Sequence, residues 1–298
     1  MKKILFGAAI ALLAATGCTT DSVETVVENN AEQATAPVTV RVSDFSISQE
    51  EMPSGSTRAA QSAASYNYVK AIDLAFYSGE TEVYKTTQVR GDGTYTTFGE
   101  FSCNLPLGTY TMVVVGRNKS DGDVFTLTSP TEAAYTGNFA RETFCATQSV
   151  TVTAAGADIG ITLNRINSAI QIVSTDGRPA GATKVRTTYA AGSKSFDPTT
   201  GLATDDNGFS VINTPSSAVG DPINPGSYLF LATDEETMSI TLQVLDDNDN
   251  VLVTKVVPNV PLKRNRLTIL RGALFTAESS SAAFQLETSW IEDHTVNF

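Results

Sequence analysis

Hydrophobic and polar residues alternate along the first structured stretch of the chain. In "VTVRV" at 38–42, the three valines fall on one side, and a threonine and an arginine fall on the other. This is the period of a half-buried β-strand. Phe45 and Ile47 continue the alternation one residue out of phase. The sequence therefore predicts a strand with a β-bulge near 43–44.

Short stretches of this kind recur along the rest of the chain, separated by Gly, Pro, Asn and Asp. No window longer than a couple of turns has apolar residues at the i, i+3, i+4 and i+7 spacing of a helix. Many short strands, with turn signals about every 8–12 residues, predict an all-β protein built from β-sandwiches. The clearest candidates are "VKAIDLAFYS", "TYTMVVVGRN", "ADIGITLNR", "SAIQIVSTD", "SITLQVLD", "RLTILRGAL" and "AAFQLETSW".

The chain also contains an internal echo. "LPLGTYTMVVVG" at 105–116 and "INPGSYLFLATD" at 223–234 each place a glycine, a hydroxyl residue and a tyrosine ahead of an apolar run. The match predicts two related domains, with Tyr110 and Tyr228 at equivalent positions. A chain of 298 residues suits two domains of about 100–150 residues each. We expect β-sandwiches at 37–163 and 164–298.

The first 18 residues are predicted to be a lipoprotein signal. Two lysines follow Met1, and the apolar run from Ile4 to Ala15 is shorter than the about 20 residues that a membrane-spanning helix needs. "ATGC" at 15–18 resembles a bacterial lipobox, although leucine is usual where Ala15 stands. The resemblance implies a diacylated Cys18 that anchors the protein to a membrane. The alternative is an ordinary cleaved signal with an incidental cysteine.

Charge limits the classes of partner. The formal net charge is −12, and removing residues 1–18, which hold two lysines and no acid, gives 18 − 32 = −14. An acidic chain argues against nucleic-acid binding, because phosphates require a basic face. Residues 19–36 are polar, mildly acidic and without an apolar period, so we expect a flexible tether there.

Two cysteines remain after the signal, Cys103 and Cys145, and both lie in strand-like segments. A location outside the cytoplasm permits a disulfide between them. Two buried free thiols are the alternative, and the spacing does not decide between them.

Candidates for chemistry are few. His294 is the only histidine, so neither a catalytic triad nor a zinc site of the usual kind is expected. "DDNDN" at 246–250 resembles part of a calcium loop but lacks its glycine and distal glutamate, and a hairpin turn is the better interpretation. "RGDG" at 90–93 also lies between strand-like runs and is interpreted as a turn. We predict no catalytic residue, no metal and no cofactor.

Several motifs together resemble the fimbrillins of Bacteroidetes, the subunits of lipoprotein-derived pili. They are "LAATGC", "VTVRVSDFSIS", "STRAA" at 56–60, "LPLGTYTMVVVG", "ITLNRINSAIQIVSTD" and "VPLKRNRLTILRGALF". The resemblance covers nearly the whole chain. It implies two tandem transthyretin-like Greek-key β-sandwiches and a role as a structural or adhesive subunit, or as the anchor, of a surface fimbria.

The resemblance also implies assembly by β-strand exchange with other fimbrial subunits. An arginine-specific protease would cut the loop after the first strand, for which Arg58 is the candidate and a solvated loop arginine the alternative. Arg41 lies inside the predicted strand and is the poorer candidate. The C-terminal "AAFQLETSW" at 282–290 is then either a donor strand or the last strand of its own domain.

The predicted location is the outer membrane, through lipid on Cys18, at the cell surface or in a fimbrium. Host or bacterial surface ligands are further partners in this interpretation. The alternative function is a monomeric surface lipoprotein that binds glycan or protein through its sandwiches. A secreted hydrolase is poorly supported, because no acid, base and nucleophile can be placed together.

Overall fold

The structure, a computed structural model, describes residues 33–47, 59–122, 124–276 and 285–288. Within these ranges regular structure consists of strands, and no helix is long and apolar enough to span a membrane. In the first half of the chain the strands are β1 (Thr35–Ile47), β2 (Ala59–Ser62), β3 (Ala71–Ser78), β4 (Thr81–Val89), β5 (Glu100–Pro106), β6 (Gly108–Arg117), β7 (Phe125–Ser129), β8 (Glu132–Tyr135), β9 (Thr143–Val152) and β10 (Ala157–Arg165). In the second half they are β11 (Ser168–Ser174), β12 (Lys184–Tyr189), β13 (Ser195–Asp197), β14 (Leu202–Ala203), β15 (Phe209–Asn213), β16 (Gly226–Leu229), β17 (Glu235–Leu245), β18 (Val251–Lys263), β19 (Leu267–Gly272) and β20 (Gln285–Thr288).

The first half folds one sheet back on itself. The sheet runs β2-β1-β10-β9-β6-β3-β4, and β5 pairs with β1 outside this path. β10 joins β9 only through Asn164↔Cys145 and Arg165↔Phe144, so the sheet bends there into two layers. Side chains from β1, β5 and β10 pack against those from β3, β6 and β9 and form the first core. The predicted β-sandwich is confirmed for this half.

The bulge predicted in the first strand is also confirmed. β1 runs parallel to β10, with Val42 opposite Ile161 and Asp44 opposite Thr162. Ser43 is therefore the extra residue, and it moves Phe45 onto the buried side. A phase change in the hydrophobic pattern was enough to locate it, because the period of side chains along a strand is two.

The second half forms a sandwich from two separate sheets. One runs β16-β11-β19-β20 and the other β15-β12-β17-β18. Their facing side chains, mostly Ile, Leu and Val from β11, β12, β17 and β18, form the second core. The C-terminal β20 pairs antiparallel with β19 of its own sheet. For 285–288 the structure thus shows a last strand completing its own sheet, and the rest of 282–290 lies outside the described residues.

The two halves repeat one topology. In each, the first strand runs parallel to a late strand, β1 with β10 and β11 with β19. The layer β4-β3-β6-β9 of the first half corresponds strand by strand to β15-β12-β17-β18 of the second. Both halves also pair their first strand antiparallel with a further strand, β5 or β16. The two halves are therefore related in topology, as the internal echo predicted.

The alignment predicted from the echo is wrong in detail. Tyr110 lies on β6, whose counterpart in the second half is β17. Tyr228 lies on β16, which is the counterpart of β5. The two tyrosines therefore do not occupy equivalent positions. Both motifs place turn-forming residues directly before a strand. Such residues occur at different places in the sheet order, so their recurrence does not align the two halves.

A third core joins the halves. A small sheet, β14-β13-β8-β7, pairs β8 of the first half with β13 of the second. Beneath it, side chains from the outer faces of β3 and β6 meet those from β11, β16 and β19. This explains why β3 is buried along both faces. The described residues from Ala34 onward form one compact unit, and the division into domains at 163/164, two residues before the end of β10, stays a prediction.

A single carboxylate fixes the chain where it leaves β19. Asp176 Oδ1 accepts a hydrogen bond from the Leu274 amide at 2.7 Å. Asp176 Oδ2 accepts bonds from the Phe275 amide at 2.8 Å and from the Thr276 amide and hydroxyl at 2.9 and 2.8 Å. Partial burial raises the pKa of Asp176, but these hydrogen bonds together outweigh it and hold the pKa below its ordinary value.

Replacing Asp176 by asparagine is expected to cost about 1–2 kcal/mol of unfolding free energy near neutral pH, because several charge-assisted bonds are weakened. A folded-state pKa below the unfolded value means that the contribution is present above about pH 4 and is lost as pH falls through the folded value. The difference between wild type and variant, measured by urea unfolding, should therefore shrink in acid. Asp247→Asn, in an exposed turn, is the control; an equal loss there would contradict the assignment.

Candidate functional site

The first strand, β1, is an interior strand of its sheet. It pairs with β5 over Thr35–Arg41, with β10 over Val38–Ser46 and with β2 over Asp44–Ile47. Five of its side chains are buried in the first core: Ala36, Val38, Val40, Val42 and Phe45. A Cβ added at Gly116 on β6 would lie 2.8 Å from the Phe45 ring. β1 therefore fills a closely fitted groove.

The two arginines considered for processing are in different situations. Arg41 lies within β1 and forms exposed ion pairs with Asp158 and with Glu100, the latter at 3.7 Å. A paired strand is a poor protease substrate, because a protease needs an extended and unpaired backbone. Arg58 precedes β2 in the connection from β1 and lies outside the described residues. Cys18 and His294 lie outside them as well.

The predicted disulfide is absent, and both cysteines are free. Cys103 on β5 is opposite Val38, which pairs with Ala157 on β10. Cys145 on β9 is opposite Asn164, seven residues further along β10. At about 3.3 Å per residue this separation is roughly 23 Å. Because a disulfide needs Cα atoms within about 7 Å, the pairing is wrong for this fold.

We expect both thiols to react only slowly in the native protein and completely after denaturation. Burial raises the pKa of the Cys103 thiol and, more strongly, that of Cys145, so both stay protonated and weakly nucleophilic. The Cys145 thiol also donates a 3.5 Å hydrogen bond to the Pro198 carbonyl. Mass spectrometry after alkylation, with and without denaturant, tests this. A protein two protons lighter than the dithiol form, with no label at either cysteine, would show that the disulfide forms after all.

The "RGDG" stretch forms a turn, as predicted. The Arg90 guanidinium donates hydrogen bonds to the carbonyls of Val69 at 3.0 Å, Ala63 at 2.8 Å and Tyr66 at 3.2 Å. It also lies 3.9 Å above the centroid of the Phe98 ring. Through these contacts Arg90 stabilises the segment that follows β2. Its guanidinium is therefore already bound within the protein, which argues against receptor binding through the Arg-Gly-Asp sequence.

The "DDNDN" stretch also forms the predicted turn, between β17 and β18. Asp246 Oδ1 accepts hydrogen bonds from the amides of Asn248 and Asn250, each at 2.9 Å. Asp249 has a positive φ of 65°, which asparagine and aspartate tolerate better than most residues. Among the described residues no group of three or more His, Cys, Asp or Glu is arranged to hold a metal ion.

A polar cleft lies where the two halves meet, at the ends of β9, β10 and β18. Its volume is about 680 Å³. At its base, Arg165 Nη2 lies 2.6 Å from Glu142 Oε1, and both side chains are less than a tenth exposed. The Tyr66 hydroxyl donates to Glu142 at 2.9 Å and accepts from Arg165 at 3.1 Å. Burial, followed by the charge of Glu142, raises the pKa of Tyr66 well above its ordinary value.

The rim of this cleft carries paired charges from the second half. Arg264 lies 2.7 Å from Asp234, and Lys263 lies 2.5 Å from Glu235. Arg264 also donates to the Thr200 carbonyl at 2.8 Å. The charges largely cancel one another, so the cleft suits a neutral, hydroxylated or amide-bearing ligand better than an ion. Sequence reasoning missed the cleft, because its residues come from distant segments without a shared motif.

Residues 33–296 match a family described as a family of unknown function, DUF6562. The chain belongs to DUF6562. No curated protein matches it.

Solved structures show the fold of this DUF6562 chain in other proteins. A "putative adhesin" from Bacteroides ovatus has a TM-score of 0.50 at 10% identity, covering 86% of this chain and 98% of its own. The fimbrial anchor protein Mfa2 from Porphyromonas gingivalis has a TM-score of 0.48 at 11% identity, with coverage of 86% and 98%. A fimbrial assembly protein from Parabacteroides distasonis scores 0.43 at 12% identity, with coverage of 86% and 95%. At the level of the fold, the putative adhesin confirms the predicted resemblance to the fimbrillin-like proteins of Bacteroidetes.

Proposed function

We propose that this DUF6562 protein is a non-enzymatic, lipid-anchored subunit or anchor of a cell-surface fimbria that assembles by β-strand exchange. The observation that carries the proposal is the place of β1, between β5 and β10 with five side chains buried in the first core. Loss of β1 would leave a groove lined by apolar side chains and by unpaired backbone groups on both sides. Such a groove is what an extended strand from a neighbouring molecule fills.

Energetics favour exchange over simple loss of β1. Burying the four larger of these side chains contributes on the order of 6–12 kcal/mol, so an empty groove would be strongly unfavourable. A donor strand with the same alternation would restore that contribution. The adhesin and fimbrial names of the proteins with related folds agree with this role.

Cleavage at Arg58 would decide whether a molecule acts as an anchor or as a stalk subunit. Cys18 and β1 both precede Arg58 in the chain, so cleavage there would put lipid and β1 on one fragment and the remaining strands on the other. An uncut molecule would stay attached to the outer membrane and act as an anchor. A cut molecule would be free to exchange β1 for a neighbour's strand and to join the stalk.

The test compares wild-type protein, Arg58→Ala and the control Arg41→Ala in cells, on gels run with and without boiling. A stalk subunit should give heat-resistant ladders of high mass in wild type and Arg41→Ala, and an uncut single band in Arg58→Ala. An anchor should give a single uncut band in the membrane fraction, released by Cys18→Ala. A single band that stays in the soluble fraction in wild type would refute both roles.

The polar cleft favours a second candidate, a monomeric surface lipoprotein that binds a glycan or protein. Its side chains offer hydrogen-bond donors and acceptors on a site of about 680 Å³, within the usual size of a small-ligand site. Binding of neutral oligosaccharides by purified protein, abolished by Asp234→Ala, would support this function. A monomeric protein that binds none of these oligosaccharides would contradict this second function.

A further inference from the structure

The connection between β8 and β9 belongs to the first half of the chain but packs against the second half. We call residues 137–141 the crossing segment. The Asn138 side-chain amide forms two hydrogen bonds with the backbone of Ile212 on β15. Asn138 Nδ2 donates to the Ile212 carbonyl at 2.7 Å, and the Ile212 amide donates to Asn138 Oδ1 at 3.0 Å.

These two bonds cap a sheet edge. Among the strands that the structure describes, β15 is the last of its sheet and pairs only with β12. The N–H and C=O of Ile212 point away from β12, since both bond to Asn138. They are the groups that an added strand would use. A side-chain amide carries the same donor and acceptor as a peptide group, so Asn138 stands in for one residue of that strand.

The crossing segment also reaches the edge of the other sheet. β16 is likewise the last described strand of its sheet, and Ala140 forms an antiparallel bridge with Tyr228 on it. Between the two contacts, Phe139 packs against the second core. The crossing segment therefore lies along the seam where the two sheets of the second half have their free edges.

Both ends of the crossing segment are held by the second half as well. Lys194 Nζ donates to the Gly137 carbonyl at 2.6 Å. Asn167 Nδ2 donates to the Arg141 carbonyl at 2.7 Å. Each residue from 137 to 141 therefore contacts the second half. The hydrogen-bonded or bridged partners lie 26 to 88 positions further along the chain.

We propose that the crossing segment is an edge guard, which prevents a second copy of this chain from adding a strand to β15 and β16. The second half would otherwise present two free edges side by side, a known route to association. A guard supplied by the same molecule is always present at its site, whereas a second copy must come from solution. This inference does not depend on the proposed fimbrial role.

The test uses the full chain with Asn138→Ala, which removes the amide from an exposed side chain. Hydrogen exchange of the Ile212 amide should rise about tenfold, because its hydrogen-bond acceptor is lost. Exchange in β9 should stay unchanged. The purified variant should also associate as its concentration rises, seen by analytical ultracentrifugation. Asn248→Ala, in the exposed turn after β17, is the matched control and should behave as wild type.

A second variant identifies the route of association. Ile212→Pro in the Asn138→Ala background removes the outward N–H, which an edge strand tolerates, and it should return the protein to a monomer. Faster exchange without association would overturn the guard role and leave only a packing contact. Unchanged exchange at Ile212 would overturn the contact itself. Association that persists with proline at 212 would place the interface elsewhere and likewise overturn the proposal.

Discussion

Replacing Glu142 by alanine is expected to cost about 3–5 kcal/mol of unfolding free energy, the usual result when one member of a buried ion pair is removed. Arg165 is buried at the base of the cleft, 2.6 Å from the Glu142 carboxylate. Its guanidinium also donates to Asn265 of the second half at 3.2 Å. Without Glu142 this charge would stay buried with its main partner gone.

Two further variants separate this cause from others. Asp234→Ala breaks the more exposed pair with Arg264 on the rim of the same cleft and should cost no more than about 1 kcal/mol. Adding Arg165→Met to Glu142→Ala should recover part of the loss, because an apolar side chain of similar length needs no counter-charge. Urea unfolding of the four proteins measures the differences. Equal losses for Glu142→Ala and Asp234→Ala would contradict the assignment.

Replacing Phe196 by alanine is expected to cost about 3–5 kcal/mol, and to destabilise both halves together. Phe196 is fully buried in the third core, where its ring centroid lies 4.5 Å from that of Phe230. It stands on β13, which pairs with β8 of the first half. The cavity left by its ring would therefore open between the halves and not inside one of them.

Thermal unfolding followed by circular dichroism and by hydrogen exchange tests this coupling. The control is Phe76→Ala, which removes an equally buried ring from the first core alone. We expect one cooperative transition in wild type, shifted downwards in both variants. Two transitions, of which Phe76→Ala lowers only one, would show instead that the halves unfold separately, as independent domains do.

Features set by neighbouring residues could be predicted from the sequence. The alternation in 38–42, the bulge before Phe45 and the turn at 246–250 depend on side chains within a few positions of one another. The period of the pattern and the turn chemistry of Asn and Asp are sufficient for these. The all-β class follows from the same local signals.

Features set by sheet register could not be predicted. Cys103 and Cys145 look alike in sequence, yet Cys103 lies on β5, which pairs with β1, whereas Cys145 lies on β9, which pairs with the C-terminal end of β10. The crossing segment, "GNFAR", shows no alternation, and the partner of Asn138 lies 74 positions further along the chain. The cleft is likewise assembled from six separate segments. Only the folded arrangement brings such residues together, because nothing within a short window specifies a partner far along the chain.

The parallel pairing of β1 with β10 has a mechanical consequence. Since both strands point the same way, the chain enters the first half at one end of this ladder and leaves at the other. Tension applied to the chain at these points would slide β1 lengthwise against β10, loading the pairs from Val38↔Ala157 to Ser46↔Asn164 all at once. The pairing of β11 with β19 repeats the geometry. Ladders strained in shear must break many bonds together, so each half is built to resist pulling along its length.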